Sequence, residues 1–197
     1  NWEDHYLPAI LEAWFPGPQG GKVIAETLFG DYNPGGKLPV TFPKTVGQIE
    51  LNFPFKPASH ADQPGAGPNG YGKTRVLGAL YPFGYGLSYT SFAFSDLKLD
   101  KGTLKKGEEL SFSVKVKNTG KYTGDEVVQA YLSDLVSSVT TYEMVLRGFE
   151  RVTLKPNEEK TVNLKIKYAD LALLDKSMNL VVEPGEFELK IGSSSED

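Results

Sequence analysis

Apolar and polar residues alternate strictly in the second half of the chain. Leu110, Phe112, Val114 and Val116 are interleaved with Ser111, Ser113, Lys115 and Lys117, and Asn118-Thr119-Gly120 closes the run as a turn. The same period of two returns at Val162, Leu164 and Ile166, and again at Phe187, Leu189 and Ile191 after the turn at Pro184-Gly185. A pleated strand sends successive side chains to opposite faces, so each run predicts a strand with one buried face. Val127 to Leu132, Val145 to Val152 and Leu180 to Val182 add further strand-length apolar segments. Ala169 to Asp175 is expected to hold one helical turn between strands.

The first half reads differently. Ala9-Ile10-Leu11-Glu12-Ala13-Trp14 is a short apolar run stopped by Pro16 and Gly17, which suggests a buried strand. A glycine-rich turn follows, and from Lys22 to Phe29 the residues Val23, Ile24, Thr27 and Leu28 fall on one helical face, with Gly30 placed as a C-cap. Strand, turn and helix are most of one β-α unit, which is too little to form a stable sheet alone. From Asn33 to about Gly86, prolines and glycines recur every few residues with aromatics between them. Such a stretch sustains neither a helix nor a central strand, so it is expected to be an extended connector lying over other structure. From Phe92 onward, short strands punctuated by turns predict a β-sandwich of the immunoglobulin or fibronectin III type. The fold expected for the whole is mainly β: that sandwich, preceded by a partial α/β unit and a long irregular connector.

Composition narrows the chemistry. The 197 residues contain no cysteine, which removes disulfides, thiolate metal sites and cysteine nucleophiles together. A formal charge of -4, with no long run of one sign, argues against nucleic acid as a partner, because phosphate-rich ligands need a concentrated basic face. No apolar stretch approaches the roughly 18 to 20 residues that span a bilayer. The opening Asn1-Trp2-Glu3-Asp4-His5 is acidic and polar where a signal peptide is basic and then apolar.

The residues from Trp14 to Pro43, through Gly17-Pro18-Gln19-Gly20-Gly21-Lys22 and Asp31-Tyr32-Asn33-Pro34-Gly35-Gly36-Lys37-Leu38-Pro39, resemble the end of the second domain of glycoside hydrolase family 3, the β-glucosidase and β-xylosidase family. Three later stretches are similar to that family in the same order. They are Tyr81-Pro82-Phe83-Gly84-Tyr85-Gly86-Leu87-Ser88-Tyr89-Thr90, Leu146-Arg147-Gly148-Phe149-Glu150-Arg151-Val152, and Glu183-Pro184-Gly185-Glu186-Phe187. The resemblance implies residues 1–43 as the remnant of an α/β sandwich domain, 44–91 as the connector and 92–197 as a fibronectin III-like sandwich. It also implies that the catalytic Asp nucleophile, on an N-terminal barrel, and the Glu acid/base, on a loop of the α/β domain, both lie upstream of Asn1. No catalytic residue is therefore assigned on this chain. The expected partners are those N-terminal catalytic domains and, through them, an oligosaccharide or glycoside cleaved with retention. A periplasmic or secreted location of the parent follows from the resemblance alone, its export signal lying upstream.

The remaining candidates are weighed on their residues. A retaining glycosidase needs two carboxylates about 5 to 5.5 Å apart, but the spacing of Glu12, Glu26 and Asp31 singles out no acid and nucleophile. Gly67-Pro68-Asn69-Gly70-Tyr71-Gly72-Lys73-Thr74 satisfies the phosphate-loop expression, yet it lacks the preceding strand and following helix that would aim its amides at a phosphate. His5 and His60 are the only histidines and are far apart in sequence, so no metal site and no cofactor are expected. Trp14, Tyr81, Phe83, Tyr85 and Tyr89 are candidates for interdomain packing, because amphipathic rings suit a buried surface with a wet edge. The alternative for the rings from Tyr81 to Phe92 is a platform that stacks on sugar, as in a carbohydrate-binding module. Lys73 and Arg75 stand in the connector as possible contacts to a cleft supplied by other domains.

Overall fold

The structure is a computed structural model that describes residues 2–48, 51–56 and 78–197. The chain runs through a short helix α1 (Trp2–Tyr6), helix α2 (Gly20–Phe29) and strands β1 (Phe42–Pro43), β2 (Ala79–Tyr81), β3 (Phe92–Leu99), β4 (Glu109–Asn118), β5 (Gly124–Asp134), β6 (Val145–Leu154), β7 (Glu159–Lys167), β8 (Leu173–Leu174), β9 (Leu180–Val181) and β10 (Phe187–Gly192). Two three-stranded antiparallel sheets, ordered β10-β5-β6 and β3-β4-β7, face each other, and β8-β9 is a separate two-stranded hairpin. The mainly β fold expected from the alternation is present. The expected helical turn also forms, as one 3-10 turn at Tyr168–Leu171.

The alternating residues make the core. Val114 and Val116 of β4, Val128 of β5, Leu154 of β6 and Val162 of β7 form one buried cluster, and Phe112, Ala130, Leu132 and Ile166 form a second. The register places Val114 opposite Val162 and Leu110 opposite Ile166, so the apolar positions of β4 and β7 share one face. The polar turn residue Asn118 is completely buried where β4 ends. Its carboxamide is satisfied on both atoms: Nδ2 donates to the carbonyls of Tyr122 and Leu154, while Oδ1 accepts from the Thr90 hydroxyl and the Gly120 amide.

Strand β5 departs from simple alternation. Its core-facing Val128, Ala130 and Leu132 are buried, but so are Gln129, Tyr131 and Ser133 on the other face. That second face is covered by the glycine-rich connector. Gln129 Nε2 donates to the Gly84 carbonyl at 3.1 Å, and the Tyr131 hydroxyl donates to Gln129 Oε1 at 2.5 Å. The Ser195 amide in turn donates to the Phe83 carbonyl at 3.0 Å.

Two expectations for the first half are corrected. Residues 9–14 form no strand, and Ile10 and Leu11 are half exposed. An extended segment needs a neighbour for its N–H and C=O groups, and no described segment pairs with this one. Trp14 moreover stands at φ +48°, where the chain leaves the extended region. Helix α2 forms and ends at Gly30 with φ +83°, as the cap requires. Its apolar face is not buried as a unit, however: Thr27 is buried, whereas Val23, Leu28 and Phe29 are exposed.

Candidate functional site: the strapped face of the sandwich

The connector approaches the sandwich in two passes, before and after β1 and β2. Leu38 and Tyr85 are joined by an amide-to-carbonyl bond of 2.8 Å, and Gly84 donates back to Leu38 at 2.8 Å. These reciprocal bonds make the two passes a ribbon. Glycine is required where that ribbon presses closest. A Cβ on Gly86 would collide with the Gly36 carbonyl, and one on Gly84, at φ +81°, would meet Gln129 Oε1 and stand 2.8 Å from the Tyr131 hydroxyl.

One ion pair fastens the ribbon to β5. Lys37 Nζ lies 2.8 Å from Glu126 Oε1, with side chains only 11% and 7% exposed. Lys37 also donates to the Gly86 carbonyl at 2.9 Å, and Glu126 Oε1 accepts from the Val127 amide at 2.8 Å. Taking both charges out of water is tolerable only because each finds partners of opposite polarity. Asn33 is a second anchor. Its Oδ1 accepts from the Ser88 hydroxyl and the Tyr89 amide, and its Nδ2 donates to the Thr123 carbonyl at the approach to β5.

The five aromatic candidates fall into three places. Trp14, Tyr81 and Tyr85 belong to one row completed by Phe42: centroids stand 6.2 Å apart from Trp14 to Phe42, 6.1 Å from Phe42 to Tyr81 and 5.4 Å from Tyr81 to Tyr85, the last pair stacked. The Tyr81 hydroxyl donates to Asp4 Oδ1 of α1 at 2.6 Å. That bond, with partial burial and the nearby Asp4 charge, pushes the phenol up to about 12. Phe83 stacks on Phe53 at 4.4 Å, and Phe53 meets the edge of Tyr131 at 5.6 Å. Tyr89 stands apart, its hydroxyl donating to the Thr27 carbonyl of α2 at 2.7 Å. Phe92 packs against the sandwich core.

No catalytic constellation assembles among the acidic candidates. Glu12 Oε1 accepts from the Trp14 amide, Glu26 pairs with Lys22 at 3.6 Å along α2, and Asp31 is exposed past the cap. His5 lies on α1 with its ring edge-on to Tyr6. Among the described residues no group of three or more histidines or carboxylates is arranged to hold a metal. His60, Lys73, Arg75 and the phosphate-loop look-alike at 67–74 lie outside the described residues. Phe42, Phe53, Lys37, Glu126 and Gln129 were not singled out by the sequence. Their partners lie far away along the chain, and only Gln129 carried a signal, as a polar residue inside the apolar run Val127 to Leu132.

Comparison with known proteins agrees with this arrangement. The description "Glycosyl hydrolase family 3 C-terminal domain" matches residues 1–89, and "Fibronectin type III-like domain" matches residues 126–195. The chain belongs to glycoside hydrolase family 3. Similar proteins include a β-xylosidase of Formosa agariphila, 43% identical across 99% of this chain, and a periplasmic β-glucosidase of Salmonella typhimurium, 44% identical across 98%. Among solved structures, a β-glucosidase from Erythrobacter marinus superposes with a TM-score of 0.88 at 37% identity, covering 99% of this chain and 25% of that one. A Listeria innocua β-glucosidase bound to isofagomine gives 0.83 at 36% identity over 93% of this chain and 26% of its own. The chain spans about a quarter of the length of these relatives.

Proposed function

We propose that this chain is the noncatalytic C-terminal part of an exo-acting family 3 β-glycosidase, in which the strapped sandwich braces the catalytic domains that remove terminal β-linked sugars. The supporting observation is the contrast between two surfaces. The ribbon seals one face of β5 with a buried ion pair and close glycine contacts. The first thirty residues leave Trp2, Ile10, Leu11, Trp14, Phe15, Leu28 and Phe29 exposed. So many exposed large apolar side chains in thirty residues are suited to a partner. The catalytic domains are that partner in this reading, with Trp14, Tyr81 and Tyr85 at the seam and residues 1–43, 44–91 and 92–197 acting as remnant, strap and brace. The relatives favour a β-glucoside or β-xyloside as substrate of the whole enzyme, and the periplasmic Salmonella relative favours an exported parent.

Association tests the brace. The separately purified upstream catalytic region of the same enzyme should bind this chain, and Trp14→Ala together with Phe29→Ser should weaken that binding at least tenfold. Equal binding by the variant would remove this face from the interface, and no binding by the unmodified chain would remove the brace.

A further inference from the structure

A hollow of about 460 Å³ opens where the strap, the β5–β6 loop and the end of the chain meet, away from the Trp14–Tyr85 row. Its size falls within the range of small-molecule sites, about 300 to 1,000 Å³. Phe53 and Phe55 line it on one side, and Glu143, Lys190, Glu196 and Asp197 line its rim. Phe53 is held rigidly, its ring stacked on Phe83 and set against Tyr131. Phe55 is 40% exposed, and its carbonyl accepts from the Glu143 amide at 3.0 Å, which fixes ring and rim relative to each other.

The rim divides into spent and unspent groups. Asp197 accepts from the Ser193 amide and hydroxyl, which holds its carboxyl below the ordinary range, and Lys190 pairs with Glu188 at 3.2 Å. Among the described residues, the carboxylates of Glu143 and Glu196 have no hydrogen-bond or ion-pair partner. An aromatic wall beside ionised acceptors is complementary to a molecule with an apolar C–H face and a fringe of hydroxyl donors. We infer that this hollow is a saccharide-binding site for one or two neutral sugar rings, with Phe55 stacking on a ring face and Glu143 and Glu196 accepting from its hydroxyls. Among the lining residues three carboxylates, Glu143, Glu196 and Asp197, stand against one ammonium, Lys190, and Lys56 is held outside the lining over the Tyr142 ring, so acidic sugars are disfavoured. The site needs no catalytic residue and stands independently of the brace.

The test is a titration of the complete 197-residue chain with cellobiose and xylobiose, followed by backbone amide shifts. The expected result is saturable, millimolar binding with shifts at Phe55, Glu143, Ser195 and Glu196, weakened about tenfold in Phe55→Ala and in Glu143→Gln. Glucuronate should bind at least tenfold more weakly than glucose. Phe55→Ala leaves the Phe53–Phe83 stack in place, and a dispersed spectrum verifies its fold. Absence of saturable shifts, shifts confined to the Trp14–Tyr85 row, undiminished binding by both variants, or equal binding of glucuronate would each overturn the inference.

Discussion

Replacing Lys37 by methionine probes the strap where its energetics are most concentrated. The substitution keeps an unbranched apolar stem, one atom shorter, and removes the charge. Glu126, only 7% exposed, would then retain one donor, the Val127 amide, and the Gly86 carbonyl would lose its partner. Stranding one member of a buried pair costs about 3 to 5 kcal/mol, and the retained amide bond argues for the lower figure, about 3 kcal/mol. For a chain of this length that corresponds to a fall in Tm of roughly 6 to 12 °C. Urea denaturation followed by far-UV circular dichroism and by fluorescence measures it, provided the two probes give one transition. A companion variant, Lys37→Met with Glu126→Leu, replaces both charges by apolar groups and should return to within about 1 kcal/mol of the starting protein, because the desolvation cost disappears with the attraction. A loss below about 1 kcal/mol in Lys37→Met alone is the behaviour of a solvated surface pair, and it would refute the claim that the strap is sealed onto β5.

Gly84→Ala should lower stability by about 3 kcal/mol in the same denaturation experiment, since it combines a left-handed backbone with intrusion on the Gln129–Tyr131 bond. Leu154→Ala, in the fully buried core, should cost about 2 to 5 kcal/mol without disturbing the hydrogen bonds of the strap, which amide exchange would register separately. The Tyr81 phenol has its folded value raised from 10.0 to about 12, so its contribution is complete below pH 10 and is lost as pH rises toward 12. The ring-carbon shift of Tyr81 should follow that midpoint, and Asp4→Ala should return it toward 10. Glu183 is held below the usual carboxylate range by the Ser138 hydroxyl and then the Ser138 amide. Its contribution is present above the ordinary glutamate value and lost as pH falls through the depressed one, so Glu183→Gln should flatten the acid limb of the stability curve.

The sandwich was legible because its strands write themselves as alternation: Phe112, Val114 and Val116 face inward for the reason that Ser111, Ser113 and Lys115 face out. The 3-10 turn after β7 and the Gly30 cap were legible for equally local reasons. The segment 9–14 misled because a buried strand and an unpaired apolar stretch have the same composition, and pairing is not a property of one segment. The five residues of α1 are too few to establish a helical period, and β1 pairs antiparallel with β2 alone, so it is an edge strand in which Pro43 is admissible. The site was least visible. Lys37 and Glu126 meet across 89 positions, as do Asn33 and Thr123 across 90, and no local pattern announces such a contact. The run Val127 to Leu132, apolar except for Gln129, carried a hint, because a strand that does not alternate is covered on both faces.

Hydrolysis of an aryl β-glucoside and an aryl β-xyloside tests the central claim most directly, with the purified chain assayed alone and then mixed with the upstream region of its enzyme. The account predicts no saturable release of the phenol by the chain alone, and faster or more heat-resistant hydrolysis by the mixture than by the upstream region by itself. Saturable turnover by the chain alone, abolished by changing one of its own carboxylates, would contradict it.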